Sequence, residues 1–558
     1  MKTIIALSAL VLIFAALTNC QKMESADLIL YNGTIWTGNP DQPIARAMAV
    51  YEGKVRAVGE NKNILDLKGG NTEVIDLNSE FVTPGFIDSH VHFADGGFGL
   101  SSVQLRNAST PEEFIKRIAD FADSIPGGEW ITEGNWNHEL WGGELPAKAW
   151  IDSVTAQNPV FINRLDGHMA LANSLALKLA GISEDVSDVE GGDIIRDGRG
   201  NLTGIFKDNA MDLIYKAIPA PDPEQRERAI LAAMKYVASK GVTSIHDMGS
   251  YRNQITFEKL AGEGKLSIRI YSCVPLASWQ KLKAKVDSAG TGNEWLRIGG
   301  LKGFVDGSLG SHTAAFFDPY DDTPEDSGFF VNEPEELENW ILSADQAGLQ
   351  VLVHAIGDRA NHELLNIYEK SVAENGKRDR RFRIEHAQHL APEDIGRFHD
   401  LGVIASMQPY HAIDDGVWAE KVIGNRIHTT YAFRNLIDQG AVLAFGSDWF
   451  VAPPTPLEGI YAAVTRRTLD GKNPDGWVPE QKITVEEALK AYTINGAYAS
   501  FEEDLKGSLE EGKFADFVVI DKNLLDIPGE EIRNAEILMT YVGGKKIYET
   551  NELKEVKR

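Results

Sequence analysis

Gly85-Phe86-Ile87-Asp88-Ser89-His90-Val91-His92 brings an apolar run of strand length, residues 81–91, to its end on a pair of histidines. Residues two apart on a strand point to the same face, so both imidazoles can reach one metal ion. Seven further apolar runs of strand length follow, at residues 242–246, 268–274, 301–305, 349–354, 382–386, 403–407 and 441–445. From the second run onward most are separated by amphipathic stretches, such as 335–347, 361–374 and 392–401. Near-continuous apolar strands alternating with helices predict a parallel sheet covered by helices. Eight such units predict an α/β fold of the (β/α)8 TIM-like barrel type, whose active site is built at the carboxyl ends of the strands. A doubly wound sheet is the alternative, but no strand-to-helix turn carries a Gly-rich dinucleotide or Walker pattern.

The gap between the first two runs is too long for one loop. It holds strand-like stretches at 130–134 and 159–164 and helix-like ones at 111–123, 173–180 and 224–240. An inserted subdomain or lid over about residues 95–225 is therefore expected within a barrel domain of 83–504. Short alternating runs with Asn-Gly and Glu-Gly turns fill residues 24–82, and the same texture returns in 505–558. Either piece alone would struggle to bury a core, so one small composite β-sandwich from both ends is expected.

Residues 1–20 read as an address. Lys2 precedes the apolar stretch 4–17, too short to cross a ~30 Å hydrocarbon core comfortably, which marks a secretory signal peptide. Leu17-Thr18-Asn19-Cys20 resembles a bacterial lipoprotein signal, with Cys20 as the lipidated first residue of an exported, envelope-anchored protein; Asn19 departs from the usual small residue, and simple export is the alternative. Intact-mass measurement of membrane-extracted protein should find a diacylated Cys20 amino terminus; an unmodified terminus elsewhere refutes the anchor. With 558 residues and a net charge of −27, the chain lacks the basic face a nucleic-acid binder needs. Two cysteines exclude a disulfide framework, and Cys273, amid apolar neighbours, reads as a buried, inert thiol.

Three more apolar runs end in polar residues at the predicted rim: His354, His386 and, after Ala444-Phe-Gly-Ser, Asp448. With His90 and His92 they supply imidazoles and a carboxylate, a donor set suited to zinc or a similar first-row ion. The motifs PGFIDSHVH (84–92), GNWNHELW (134–141), DGHMALANSLAL (166–177), KGFVDGSLGS (302–311), HAIGDRA (354–360), EHAQ (385–388), GSDW (446–449) and GSLEEGKFADFVVID (507–521) run nearly the length of the chain. In them the chain resembles the amidohydrolase superfamily, more narrowly the branch of N-substituted formamide deformylases and YtcJ-like proteins.

That resemblance implies that His90, His92, His354, His386 and Asp448 are metal ligands, and that Lys302 becomes carboxylated and bridges two metals. An ammonium has donors only, so a lysine can ligate a cation only once converted to a carbamate; pairing of Lys302 with Asp306 or a substrate carboxylate is the other reading. The cofactors implied are one or two divalent ions, zinc first, manganese or iron next. Asp448 would also move protons, and His168 matches a branch-typical histidine that hydrogen-bonds the substrate carbonyl. Trp136 and Trp141 could line an apolar pocket or form lid core; Asp306, Ser308 and Arg359 could bind substrate or support the ligands. His312 stands where the family often has Arg, and Phe450 where Pro is common. His246-Asp247 could approach the site, whereas His138, His362, His399 and His428 read as solvated or capping. The activity implied is hydrolysis of an amide-type C–N bond in a small molecule, N-formyl or N-acyl amines foremost, without a Ser or Cys nucleophile. Other superfamily reactions (cyclic-imide opening, deamination, ester or phosphoester hydrolysis) and an inactive envelope binding protein are the alternatives. Membrane contact is expected only through the lipid anchor, and a homodimer is the commonest form an assembly would take.

Overall fold

The computed structural model describes residues 25–550, so the expected signal peptide, the expected lipidation site Cys20 and the last eight residues lie outside the described residues. Eight strands form one parallel sheet in sequence order: β1 (Phe86–Val91), β2 (Val242–Asp247), β3 (Arg269–Pro275), β4 (Leu296–Phe304), β5 (Gln350–Ala355), β6 (Arg383–His386), β7 (Ile404–Met407) and β8 (Leu443–Phe445). The ends meet just past β8: Asp448 N–H donates to the His90 carbonyl at 2.7 Å, and His92 N–H to the Trp449 carbonyl at 2.6 Å. The sheet is thus a nearly closed TIM-like barrel. Strands β1, β2, β5, β6, β7 and β8 are buried at every position, as their unbroken apolar runs require.

The run 81–91 is not one strand, as its hydropathy suggested, but two. Phe81–Pro84 belongs to a six-stranded sheet, between Thr34–Trp36 and Phe517–Ile520, and Phe86–Val91 is β1. The break falls at Gly85, where a Cβ would lie 2.2 Å from the Thr243 hydroxyl; only glycine lets the chain pass β2 there. Because both strands are buried, no polar residue announced the change of sheet. A four-stranded sheet, in the order Lys54–Gly59, Ala47–Tyr51, Ala26–Tyr31, Lys68–Asp76, packs on the six-stranded one. Leu28, Leu30, Met48 and Val50 share a core with Val82, Phe517, Val519 and Tyr541, so strands from both ends of the chain bury one apolar layer. The buried Arg269 guanidinium at the start of β3 pins this layer to the barrel through Asp516, at 2.6 and 3.0 Å.

Between β1 and β2 lies a five-stranded sheet with the helix Pro111–Ser124, and the helix Pro223–Ala238 returns the chain to β2. That returning helix opens on a capping box, Asp222 with Gln225, and on Pro223 in its first turn. The loop joining Val160–Asn163 to Met169–Ala172 reaches over the barrel mouth, and its residues 164–168 line the cavity there. No helix among the described residues is long and apolar enough to cross a membrane.

Candidate active site

β1 delivers His90 and His92 to the barrel mouth, β5 delivers His354, β6 delivers His386, and the turn after β8 delivers Asp448. Asp448 Oδ1 lies 3.5 Å from His90 Nε2 and 3.3 Å from His92 Nε2. It is buried yet makes no hydrogen bond. Both His386 and Asp448 adopt left-handed backbone, with φ of 76° and 57°. Such conformations are costly away from glycine and cluster at functional sites, where the surroundings enforce them. Gly446 lets the turn approach: a Cβ there would stand 2.5 Å from the His90 amide nitrogen.

The ring orientations follow from what lies behind them. His90 Nδ1 is 2.5 Å from Glu385 Oε2. Glu385 also accepts from Arg383 Nε at 2.7 Å and Nη2 at 3.0 Å. Burial alone would raise the Glu385 pKa, but Arg383 and His90 hold it well below the usual carboxylate range. An ionised carboxylate only accepts, so His90 Nδ1 carries the proton and Nε2 presents a lone pair to Asp448. Burial, with the Lys302 charge, pulls His90 down to about 4, which keeps the ring neutral. Gln408 does the same for His386: its amide donates to the Ser406 carbonyl at 3.3 Å, leaving Oε1 to accept from His386 Nδ1 at 2.8 Å. His354 Nε2 donates to the Gly307 carbonyl at 2.9 Å, which frees Nδ1.

Lys302, near the end of β4, is buried in the same cavity with Nζ 3.5 Å from His90 Nε2. Burial lowers its pKa to about 8. From the insertion's loop 164–168, His168 enters the cavity with Nδ1 held 2.6 Å from Asp208. Burial opposes a charge on His168, but Asp208 and Asp166 more than offset it and its pKa is raised.

Other expected residues stand elsewhere. Trp136 is fully buried in the insertion core, its indole N–H donating to the Ile162 carbonyl at 2.9 Å, so it does not line the cavity. Asp306 is also fully buried and accepts from the amides of Ala315, Ile356 and Gly357 at 2.8, 3.0 and 2.8 Å; it does not line the cavity but stands behind an expected ligand, its Oδ1 3.6 Å from His354 Nε2. Arg359 lies outside the cavity with its guanidinium 4.9 Å from the Phe330 ring. His138 is buried rather than solvated, taking a hydrogen bond from Arg164 Nε at 3.3 Å. His246 accepts from Arg383 Nη1 at 2.9 Å and buttresses the site from behind. Cys273 is buried and its thiol is pushed far up by burial, as an inert core residue should be.

Sequence reading missed Glu385, Arg383, Gln408, Asp208 and His411, although Glu385 stands in the motif EHAQ and His411 follows strand β7 closely. Asp88, within the opening quoted motif, was also passed over. It accepts from Ser447 N at 2.8 Å and Ser447 Oγ at 2.5 Å and so ties β1 to the turn carrying Asp448.

The donor set fits a divalent ion: His90, His92 and Asp448 place one atom each within 4.8 Å of one another, and so do His386, His411 and Asp448. A buried carboxylate oxygen facing imidazole lone pairs is stable only with a cation or proton between them. A sequence model of the amidohydrolase family matches residues 73–548. The chain belongs to the amidohydrolase family. Among relatives, Protein LONG AFTER FAR-RED 3 of Arabidopsis thaliana is 42% identical over 94% of this chain and 92% of its own. Putative amidohydrolase YtcJ of Bacillus subtilis is 31% identical over 93% and 99%, and N-substituted formamide deformylase of Arthrobacter pascens 28% identical over 94% and 99%. The crystal structure of an uncharacterized metal-dependent hydrolase from Pyrococcus horikoshii superposes with a TM-score of 0.72 at 30% identity, covering 90% of this chain and 99% of that one. The amidohydrolase membership expected from the motifs and the barrel expected from the eight apolar runs therefore both hold, and the chain is a metal-dependent hydrolase by kinship and by its donor set.

Proposed function

We propose that the chain hydrolyses an amide-type C–N bond of a small molecule, with N-formyl and N-acyl amines as the substrate class. The observation that carries this reading is the unpartnered Asp448 oxygen, buried beside two imidazole nitrogens at the floor of a cavity that His168 overhangs. His90, His92, His354, His386 and Asp448 would hold divalent ions, zinc in first place, with manganese or iron as alternatives. Bound there, such an ion supplies Lewis acidity towards water and a carbonyl at neutral pH. Asp448 accepts the proton of the attacking water and returns it to the departing amine. His168, whose hold on a proton Asp208 strengthens, is placed to donate to the carbonyl oxygen as negative charge gathers on it. The loop 164–168 lines the cavity that holds both. The name of the formamide deformylase relative supports the N-formyl class for this chain.

Lys302 is the residue we assign to carboxylation. Its ammonium faces His90 Nε2 at 3.5 Å, a donor set among would-be ligands, whereas the carbamate formed with carbon dioxide would present two oxygens there. Chelator-treated enzyme should lose N-formyl amine hydrolysis and regain it with zinc, manganese or iron; activity indifferent to chelation and reloading would contradict the reading. For Lys302, ¹³C-bicarbonate should give a carbamate carbon resonance in wild type that Lys302→Ala lacks. Identical spectra would remove the bridge.

A further inference from the structure

His411 stands in the first turn of the helix Pro409–Asp415, directly after β7. Its Nε2 is buried and has no hydrogen-bond partner, and the residue lines the same cavity as Asp448. One of its ring nitrogens lies within 4.8 Å of a His386 nitrogen and of an Asp448 oxygen. The His386 and His411 rings are nearly parallel, 10° apart with centroids at 6.5 Å. The same short loop therefore does two things: Gln408 turns His386 Nε2 into the cavity, and His411 arrives beside it three residues later.

Two imidazoles and a carboxylate gathered about one point bring several potential ligand atoms together, and a buried polar atom left without a partner costs stability. Something positive is needed between them. The trio also shares Asp448 with His90 and His92, so one carboxylate stands between two separate donor sets. A carboxylate with two oxygens can serve two ions at once, as in two-metal hydrolytic sites.

We propose that His411 is a metal ligand, completing with His386 and Asp448 a second seat for a first-row divalent cation. The inference rests on the metal-dependent reading above and adds a ligand to it. The nitrogen-rich donor set selects zinc, cobalt or iron over calcium and magnesium, which prefer oxygen. His354, whose Nε2 is committed to the Gly307 carbonyl, would contribute through Nδ1 alone.

The test is equilibrium titration of metal-free protein with Co²⁺, following the visible d–d bands and the bound stoichiometry. Wild type should take up about two ions per chain, and in His411→Ala the second should bind about 10-fold or more weaker. His411→Asp, which restores a ligand atom, should recover part of that affinity, while far-UV circular dichroism keeps all three chains folded. Equal stoichiometry and affinities in wild type and His411→Ala would overturn the inference and leave the hydrolase reading standing. Wild-type protein that binds no Co²⁺ would remove both.

Discussion

Asp448→Asn is expected to lower kcat by about 10³-fold or more while the barrel stays folded. Asparagine keeps the shape of the side chain, and it tolerates the left-handed φ of 57° at this position better than any residue but glycine. What it lacks is the charge that attracts a cation and the basicity that takes a proton from water. In the wild type the carboxylate is buried and no hydrogen bond reaches its Oδ1. The metal-free wild type thus carries an uncompensated carboxylate oxygen in its core, and relieving it should raise the melting temperature of metal-free Asp448→Asn slightly. Steady-state kinetics and thermal melts on the same preparations check both. Wild-type turnover in Asp448→Asn would exclude this carboxylate from the reaction.

Arg383→Met is expected to cost about 3–5 kcal/mol of stability. The Arg383 side chain ties four barrel strands together. The fully buried guanidinium donates to both Glu385 oxygens, to the Ser89 carbonyl at 2.6 Å, to Ser406 Oγ at 2.9 Å and to His246 Nδ1 at 2.9 Å. Those partners sit on β6, β1, β7 and β2. Removing the cation leaves Glu385 buried with His90 alone, so the carboxylate loses the field that keeps it ionised. His90 then loses the acceptor that fixes its tautomer, and metal affinity should fall by about 10- to 100-fold. Urea unfolding and a chelator competition measure the two effects. The double variant Arg383→Met with Glu385→Gln should recover stability, since no charge is left unpaired, without recovering the affinity for metal. A single variant as stable as wild type would show that the network is dispensable.

Much of the barrel was legible because a strand covered on both faces needs no polar alternation, so its hydrophobic run stands out against the amphipathic helices around it. The same physics hid the break at Gly85, where one buried strand hands over to another and only Pro84-Gly85 marks the change. His354, His386 and Asp448 were readable since a polar residue at the end of an apolar strand has few structural excuses. The groups that aim them were not, because they lie far off in the chain: Glu385 meets His90 across 295 positions. Trp136 was read as pocket wall or lid core and Arg359 from its place beside the expected β5 ligand, and neither reading says where a loop turns a side chain. Trp136 fills the core of the insertion, and Arg359 lies against Phe330 outside the rim. His411 escaped because it begins a helix rather than ending a strand, though the signal used for the others lay only four residues before it, at the end of β7.

An anomalous-difference map from crystals of zinc-loaded protein, collected across the zinc absorption edge, probes the metal centre most directly. The expected map has its strongest density at the barrel mouth, about 2.0–2.2 Å from imidazole nitrogens of His90 and His92 and from an oxygen of Asp448. A map with no density among those three side chains, or with its strongest peak outside the mouth, would contradict the convergence on which the hydrolase reading depends.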